Sequence, residues 1–272
     1  MIPKFIYTDL SKYNFSGMTG NDITNLNNYV VGSKFVGTSL DDVQYLIIDT
    51  GNTYAKDVLI IDNHNFMQVL SSGSIQFETS TDAGFSTSST IVSDLVLPDV
   101  PIYKEIDSTT NRYFRIAFSG SFLQGAYIGN IFIDKVRELN LPIVTNWKVN
   151  NYKYSTNEFN TISGVSRNSQ LTDGKVCHEF GFKLINDANK QTFINIVTAI
   201  KGRALPLYIV LENIVSYVNM KSDYTPVTVN KINLNDIVGL KFEGNNTRVA
   251  TVFENINADC IYEDEIIIWK RH

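Results

Sequence analysis

The sequence predicts a mainly β protein in two parts. Residues 1–138 form an N-terminal β-sandwich with a lead-in, and residues 139–272 form a β-rich α+β part with one helix. Three observations carry this. The run Asp57-Val-Leu-Ile-Ile-Asp-Asn-His-Asn-Phe66 is apolar from Val58 to Ile61 and stops abruptly in turn formers. Strands buried on both faces look like this, because neither set of side chains meets water. Two later stretches, Arg112-Tyr-Phe-Arg-Ile-Ala-Phe118 and Ala126-Tyr-Ile-Gly-Asn-Ile-Phe-Ile-Asp134, read as its sheet partners. Beyond residue 160 the pattern becomes strand, helix, strand, which marks a different architecture.

In chain order, residues 1–40 are polar and turn-rich, with Gly17, Gly20, Gly32 and Gly37, and predict a loose lead-in with one or two short strands. Residues 42–50 are the first firm strand, and Gly51-Asn52 turns the chain into 57–66. In 74–79, Ile75 and Phe77 alternate with polar neighbours, the mark of a half-buried strand. Residues 80–89 are small and polar and predict a loop. Pro98 and Pro101 fit an edge segment or an extended connection within 94–103, but no helix. Residues 146–160, rich in Asn, Lys and Tyr, predict a linker or an exposed arm. In 175–185, Val176, His178, Phe180, Phe182 and Leu184 share one face. Asn186-Asp187 caps a helix over 188–201, with Phe193, Ile194, Val197 and Ile200 at helical spacing and Gly202 at its end. Strands over 205–212 and 214–220 follow. Gly244-Asn245, set between alternating stretches 237–243 and 248–255, predicts a hairpin.

Composition narrows the function. With 23 basic against 28 acidic residues, a net charge of -5, the chain offers no basic stripe for phosphates, so nucleic acid is not the expected main partner. Its longest apolar runs fall far below the roughly 20 residues of a spanning helix, so no membrane insertion is expected. The first residues lack the apolar region and cleavage site of a secretion signal. Cys177 and Cys260 are too few for a disulfide framework; they can pair, but a reduced, buried state is the expectation. The chain is expected to fold in a cytoplasm.

Chemistry is scarce. The histidines are His64, His178 and His272. Asp62 near His64 makes a metal pair imaginable, yet one carboxylate and one imidazole are too few ligands. His64 is expected instead to cap a strand end by bonding the backbone. His178 and Cys177 are strand neighbours that point to opposite faces, so they do not converge as base and nucleophile. No Gly-x-Ser-x-Gly elbow occurs, and Gly17-Met-Thr-Gly20 lacks the lysine of a phosphate loop. Acids near Asp62 and Asp82 leave a calcium site as an alternative. The sequence therefore predicts no enzyme, no catalytic residues, no cofactor and no metal. Aromatics outside the alternating strands fit either sugar-stacking platforms or subunit interfaces: Tyr13, Phe15, Tyr29, Phe35, Tyr152 and Tyr154. Tyr152, Tyr154, Phe35 and Tyr29 are the candidate interface or glycan-contact residues, with interface use expected for the arm.

The order of motifs is similar to a discoidin-like jelly roll, and more specifically resembles a group of tailed-bacteriophage tail proteins. The matching stretches are 57–65, Ser74-Ile-Gln-Phe77, Arg112-Tyr-Phe-Arg-Ile116 and Tyr127-Ile-Gly-Asn-Ile-Phe-Ile133. Gly164-Val-Ser-Arg167, a strand at 179–185, the helix and a strand at 205–211 match the second domain of that group. Asp134 stands where the group has glycine. The resemblance implies a structural virion component at the tail tip or baseplate, like a distal tail protein, made in the host cytoplasm. It implies a tail-tube-like hub domain that assembles into a homo-oligomeric ring, a hexamer ahead of a trimer. Its partners would be other phage tail proteins (tail tube, hub, fibre). The alternative reading is a carbohydrate-binding module that contacts host surface glycans during adsorption. The resemblance implies no catalytic residue.

Overall fold

The structure, a computed structural model, describes residues 2–28, 33–37, 43–66, 74–92, 102–119, 126–141, 143, 148–153, 156–160, 166–170, 175–184, 186–201, 205–211, 214–220, 222, 224–244, 248–249 and 251–252. Strand pairing shows the mainly β class and the sandwich directly. The outer sheet contains β2 (Asn14–Ser16), β4 (Gln44–Asp49), β6 (Ser74–Ser80), β7 (Ser88–Val92) and β9 (Tyr113–Ser119), in the order β2-β4-β9-β6-β7. The inner sheet contains β3 (Phe35–Val36), β5 (Lys56–His64), β8 (Ile102–Thr109), β10 (Tyr127–Asp134) and β20 (Thr251–Val252), in the order β20-β8-β5-β10-β3.

The outer sheet alternates. Leu46, Ile48, Ile75, Phe77, Phe114 and Ile116 are buried, while Tyr45, Gln76, Glu78 and Arg115 between them are not. Phe77 and Phe114 stack with ring centroids 5.6 Å apart. The inner sheet does not alternate: Val58 to Ile61 and Ile131 to Ile133 are all buried. Leu59 and Ile61 face the sandwich interior with Ile133 and Ile131, their register partners. Val58, Ile60 and Asp62, opposite Asp134, Phe132 and Asn130, occupy the other face.

That second face is covered by a third sheet. It consists of β1 (Lys4–Ile6), β11 (Arg137–Glu138), β12 (Lys148–Lys153), β15 (Lys175–Lys183), β16 (Leu207–Leu211), β17 (Ile214–Met220) and β18 (Ile237–Gly244), ordered β11-β1-β16-β17-β18-β15-β12, with β19 (Arg248–Val249) beside β17. β1 and β16 are the shared wall. Ile6, Tyr208 and Val210 belong to the sandwich core, whereas Phe5, Leu207 and Ile209 belong to a second core with Phe182, Phe193 and Val197. Phe132 meets Tyr208 edge-on at 4.9 Å, and the Tyr208 hydroxyl donates to Asp62 Oδ2 at 2.9 Å. Lys4 Nζ pairs with Glu105 Oε1 at 2.5 Å across the same junction. On the far side, helix α1 (Asp187–Ala199) closes the second core, with Phe193 against Phe182 at 5.5 Å. Burying each such large side chain contributes roughly 1.5–3 kcal/mol.

Several expectations are corrected. Residues 146–160 are not a linker: β12 pairs with β15, from Lys148↔Glu179 to Asn151↔Val176, so ladder bonds override poor strand formers. β13 (Thr156–Asn160) and β14 (Ser166–Gln170) form a separate two-stranded sheet. The lead-in is not wholly part of the first unit, since Lys4–Ile6 pairs with Tyr208–Val210 and Arg137–Glu138 pairs with β1. Of the stretch 94–103 only Ile102 and Tyr103 fall among the described residues, where they begin β8 between β5 and β20; the rest of that expectation lies outside the described residues. The stretch around Gly244 does not reverse the chain. β18 and β19 both run antiparallel to β17, with Gly244↔Val218 followed by Arg248↔Val215. Helix α1 is capped by Asn186 as expected, its Oδ1 accepting from the Asn189 amide at 2.9 Å. Gly202 lies outside the described residues, and Lys201 takes the left-handed φ of 52° at the helix end. A second short helix, α2 (Pro226–Asn230), was not anticipated; Thr225 caps it, and Pro226 at its first turn was the available signal.

Candidate functional site

Because the third sheet walls off the inner sheet, the sandwich presents the outer sheet to its surroundings. On that exposed face three cross-strand rows lie in register: Tyr45–Ala117–Gln76, Ile47–Arg115–Glu78 and Asp49–Tyr113–Ser80. Residues directly opposite in an antiparallel ladder share a face, so these side chains form one surface.

Arg115 sits at its centre. Its guanidinium lies 4.3 Å from the ring centroid of Tyr45 and 4.4 Å from that of Phe85, so two aromatic rings pack on the cation. Arg115 Nε donates to Glu78 Oε2, and the two side chains are 17% and 12% exposed. Arg115 makes no other hydrogen bond among the described residues, so its terminal nitrogens are not engaged by them. Tyr45 is 37% exposed. Arg112 forms a fork with Asp49, Nε to Oδ1 at 2.6 Å and Nη2 to Oδ2 at 2.8 Å, and lies 5.2 Å above Tyr113. That fork holds the Asp49 carboxyl below its usual range.

Phe85 reaches this stack from the turn between β6 and β7. Its φ of 53° is in the left-handed region, which a bulky side chain rarely adopts and which costs about 1–3 kcal/mol. Asp82 organises the turn. Its carboxylate accepts from the Ser86 hydroxyl at 2.9 Å, the Ser80 hydroxyl at 3.1 Å, the Gly84 amide at 2.9 Å and the Ser86 amide at 3.3 Å. These bonds, that from Ser86 foremost, lower its pKa. The turn is an Asx-type device that delivers one ring to one cation.

The remaining reactive groups are internal. Lys56 is fully buried, and its Nζ donates to the carbonyls of Tyr54 at 3.0 Å, Asn111 at 3.1 Å and Asn52 at 3.2 Å. Burial lowers its pKa to about 8, opposed by the charge of Asp134. With each proton taken, this ammonium ties loops together and has no capacity left for a substrate. His64 is 3% exposed, and its Nδ1 accepts from the Phe66 amide at 3.4 Å, the strand-end cap expected of it. His178 is fully buried on the apolar face of β15, where burial drops its pKa to about 4.

The residues singled out in the sequence fall elsewhere. Phe35 is 1% exposed inside the sandwich core, so its ring cannot serve a sugar or a subunit; Tyr13 and Phe15 are buried with it. The turns Leu10–Lys12 and Ile23–Asn27 fold the lead-in onto the core, and the Tyr13 hydroxyl donates to the Ile133 carbonyl at 2.5 Å. Tyr152 falls at the irregularity of β12 between Asn151 and Lys153. Tyr29 and Tyr154 lie outside the described residues. Asp62 and Asp82 do not form a calcium cage: Asp62 is 5% exposed and engaged by Tyr208, and Asp82 is consumed by its turn. Among the described residues no group of three His, Cys, Asp or Glu side chains converges. Sequence reading missed Tyr45, Phe85 and Arg115; the polar positions of the alternating strands 42–50 and 112–118 were the available signal.

No protein-family model matches the chain, and no curated protein matches it. Solved structures similar to it include chitosan-binding module 1 from a chitosanase/glucanase of Paenibacillus sp. IK-5, at 10% identity and a TM-score of 0.40 over 47% of this chain and 100% of that one. Another is a CBM32 module from Clostridium perfringens in complex with GalNAc-β-1,3-galactose, at 9% identity and a TM-score of 0.39 over 47% of this chain and 98% of that one. A third is the CBM32 of AlyQ in complex with 4,5-unsaturated mannuronic acid, at 13% identity and a TM-score of 0.37 over 47% and 96%. Each likeness is to part of the chain, and the assignment of the candidate face rests on its own geometry.

Proposed function

We propose that this chain is a non-catalytic protein whose sandwich contacts glycans and whose second part holds that sandwich in a fixed orientation. One observation carries the reading. The exposed face of the outer sheet bears an aromatic–cation stack with unused donors, Tyr45, Arg115 and Phe85, while the opposite sheet is sealed by β1 and β16. Sugars are recognised by such pairings of a flat aromatic ring with fixed polar groups, because one face of a pyranose is apolar and its rim is polar. The reactive side chains described here, Lys56, His64 and His178, are buried in structural roles. The test is an array of bacterial surface and plant glycans probed with the intact protein. Selective, saturable binding is the expected result; a folded protein that binds none of them overturns the reading.

A second reading concerns setting: a bacteriophage tail component, like a distal tail protein, whose third sheet builds a ring with the sandwiches outside. Two features favour it. Among the described residues, β11 and β12 each have one strand neighbour in the third sheet, and β13 and β14 form a separate antiparallel pair. Unpaired edges of this kind invite pairing with another copy. A hexamer is the first choice and a trimer the next. Mass photometry at micromolar concentration, with immunogold labelling of virions, tests it; a monomer absent from particles overturns it.

A further inference from the structure

We propose, resting on the glycan reading above, that the exposed face of the outer sheet takes an uncharged sugar unit and grips it by a pair of neighbouring hydroxyls. Arg115 and Glu78 lie side by side, joined by one Nε–Oε2 bond. Arg115 keeps its terminal N–H groups, which only donate, and Glu78 keeps its second carboxylate oxygen, which only accepts. A vicinal diol is the complement of that edge, because each hydroxyl both donates and accepts. On the adjoining row, the small side chain of Ala117 lies in register between Tyr45 and Gln76. Gln76 makes no hydrogen bond among the described residues, so its amide is available for a further hydroxyl.

Charge selects the class of sugar. Arg115 is matched by Glu78 and Arg112 by Asp49, so the face carries no net charge within a chain of -5. A uronic acid or sulfated sugar gains no long-range attraction there and meets two carboxylates. Preorganisation supplies the rest. A free arginine side chain samples many rotamers, whereas Arg115 is fixed by two rings and one carboxylate, so ordering it costs the ligand little. The left-handed Phe85 fits this role: a strained backbone is retained to keep that second ring on the cation.

The experiment is calorimetric titration of the intact protein with lactose, cellotriose and mannotriose as uncharged probes and trigalacturonate as the acidic one. It is repeated on Tyr45→Ala, Arg115→Lys and Glu78→Gln, with urea midpoints confirming that each variant is folded. At least one uncharged probe is expected to bind, to bind more tightly than trigalacturonate, and to weaken at least tenfold in each variant. Tyr45→Phe, which removes only a hydroxyl, is expected to weaken it less than Tyr45→Ala. Binding of uncharged sugars that all three variants leave unchanged overturns this site while the glycan reading survives. Tighter binding of trigalacturonate overturns the uncharged class. If neither these probes nor the array show binding, the glycan reading itself falls.

Discussion

The two sheets of the sandwich differ in what lies beyond them. β9 of the outer sheet alternates strictly at its start, with Tyr113 and Arg115 half-buried and Phe114 and Ile116 fully buried. β5 and β10 of the inner sheet are buried at nearly every position, charged residues included. Asp62 and Asp134 sit at 5% and 1% exposure because Tyr208, Tyr54 and Arg137 meet them there. The difference teaches that a sheet reads as alternating when water is on its far side and as continuous when another layer is. One sheet is an anchor and the other an available surface.

That contrast can be broken in order of expected effect. Phe132→Ala, on the anchored side, leaves a cavity against Tyr208 and is expected to cost about 3–5 kcal/mol in urea unfolding. A loss under ~1 kcal/mol would mean that the third sheet is not seated on the inner one. Acid tests the far core. His178 titrates near its ordinary value of 6.5 when unfolded but at about 4 when folded, so the unfolded state binds the extra proton between those values. Stability is therefore expected to fall as pH drops from 6.5 towards 4, by up to about 3 kcal/mol, and His178→Leu should flatten that limb of a urea-midpoint-against-pH curve. Tyr208→Phe removes the bond to Asp62 without removing the ring, and a cost of about 1–3 kcal/mol is expected by the same measurement. The smallest effect belongs to the open face: Tyr45→Ala, which removes one ring from Arg115, is expected to cost about 0.5–1 kcal/mol. A large loss there would show that the ring is a structural element and not an available contact.

Legibility followed periodicity. β5, β9, β10, β15 and helix α1 were readable because burial stamps a period of two, a period of 3.6 or a continuous run on the residues themselves. β12 was not, since Lys148, Asn150 and Asn151 are weak strand formers and only the ladder to β15 makes them one. Gly244 misled for a related reason: a glycine next to asparagine suits a reversal, but β17 holds both flanking segments on one line. Phe35 misled because a polar lead-in gives no hint that it folds back over its own aromatics.

By itself the sequence determined that this is a mainly β chain with a sandwich, that β5 would be buried on both faces, and that no compact catalytic motif is present. Those properties are local, written in the spacing of apolar residues. Tertiary structure alone decided that Lys4–Ile6 joins a sheet some two hundred residues away in the chain, pairing with Tyr208–Val210. It alone decided that this sheet seals one face of the sandwich, and that Arg115 lies between Tyr45 and Phe85 on the other. Such contacts join segments whose separation leaves no periodic trace, because only the register of strands from distant parts of the chain brings them together.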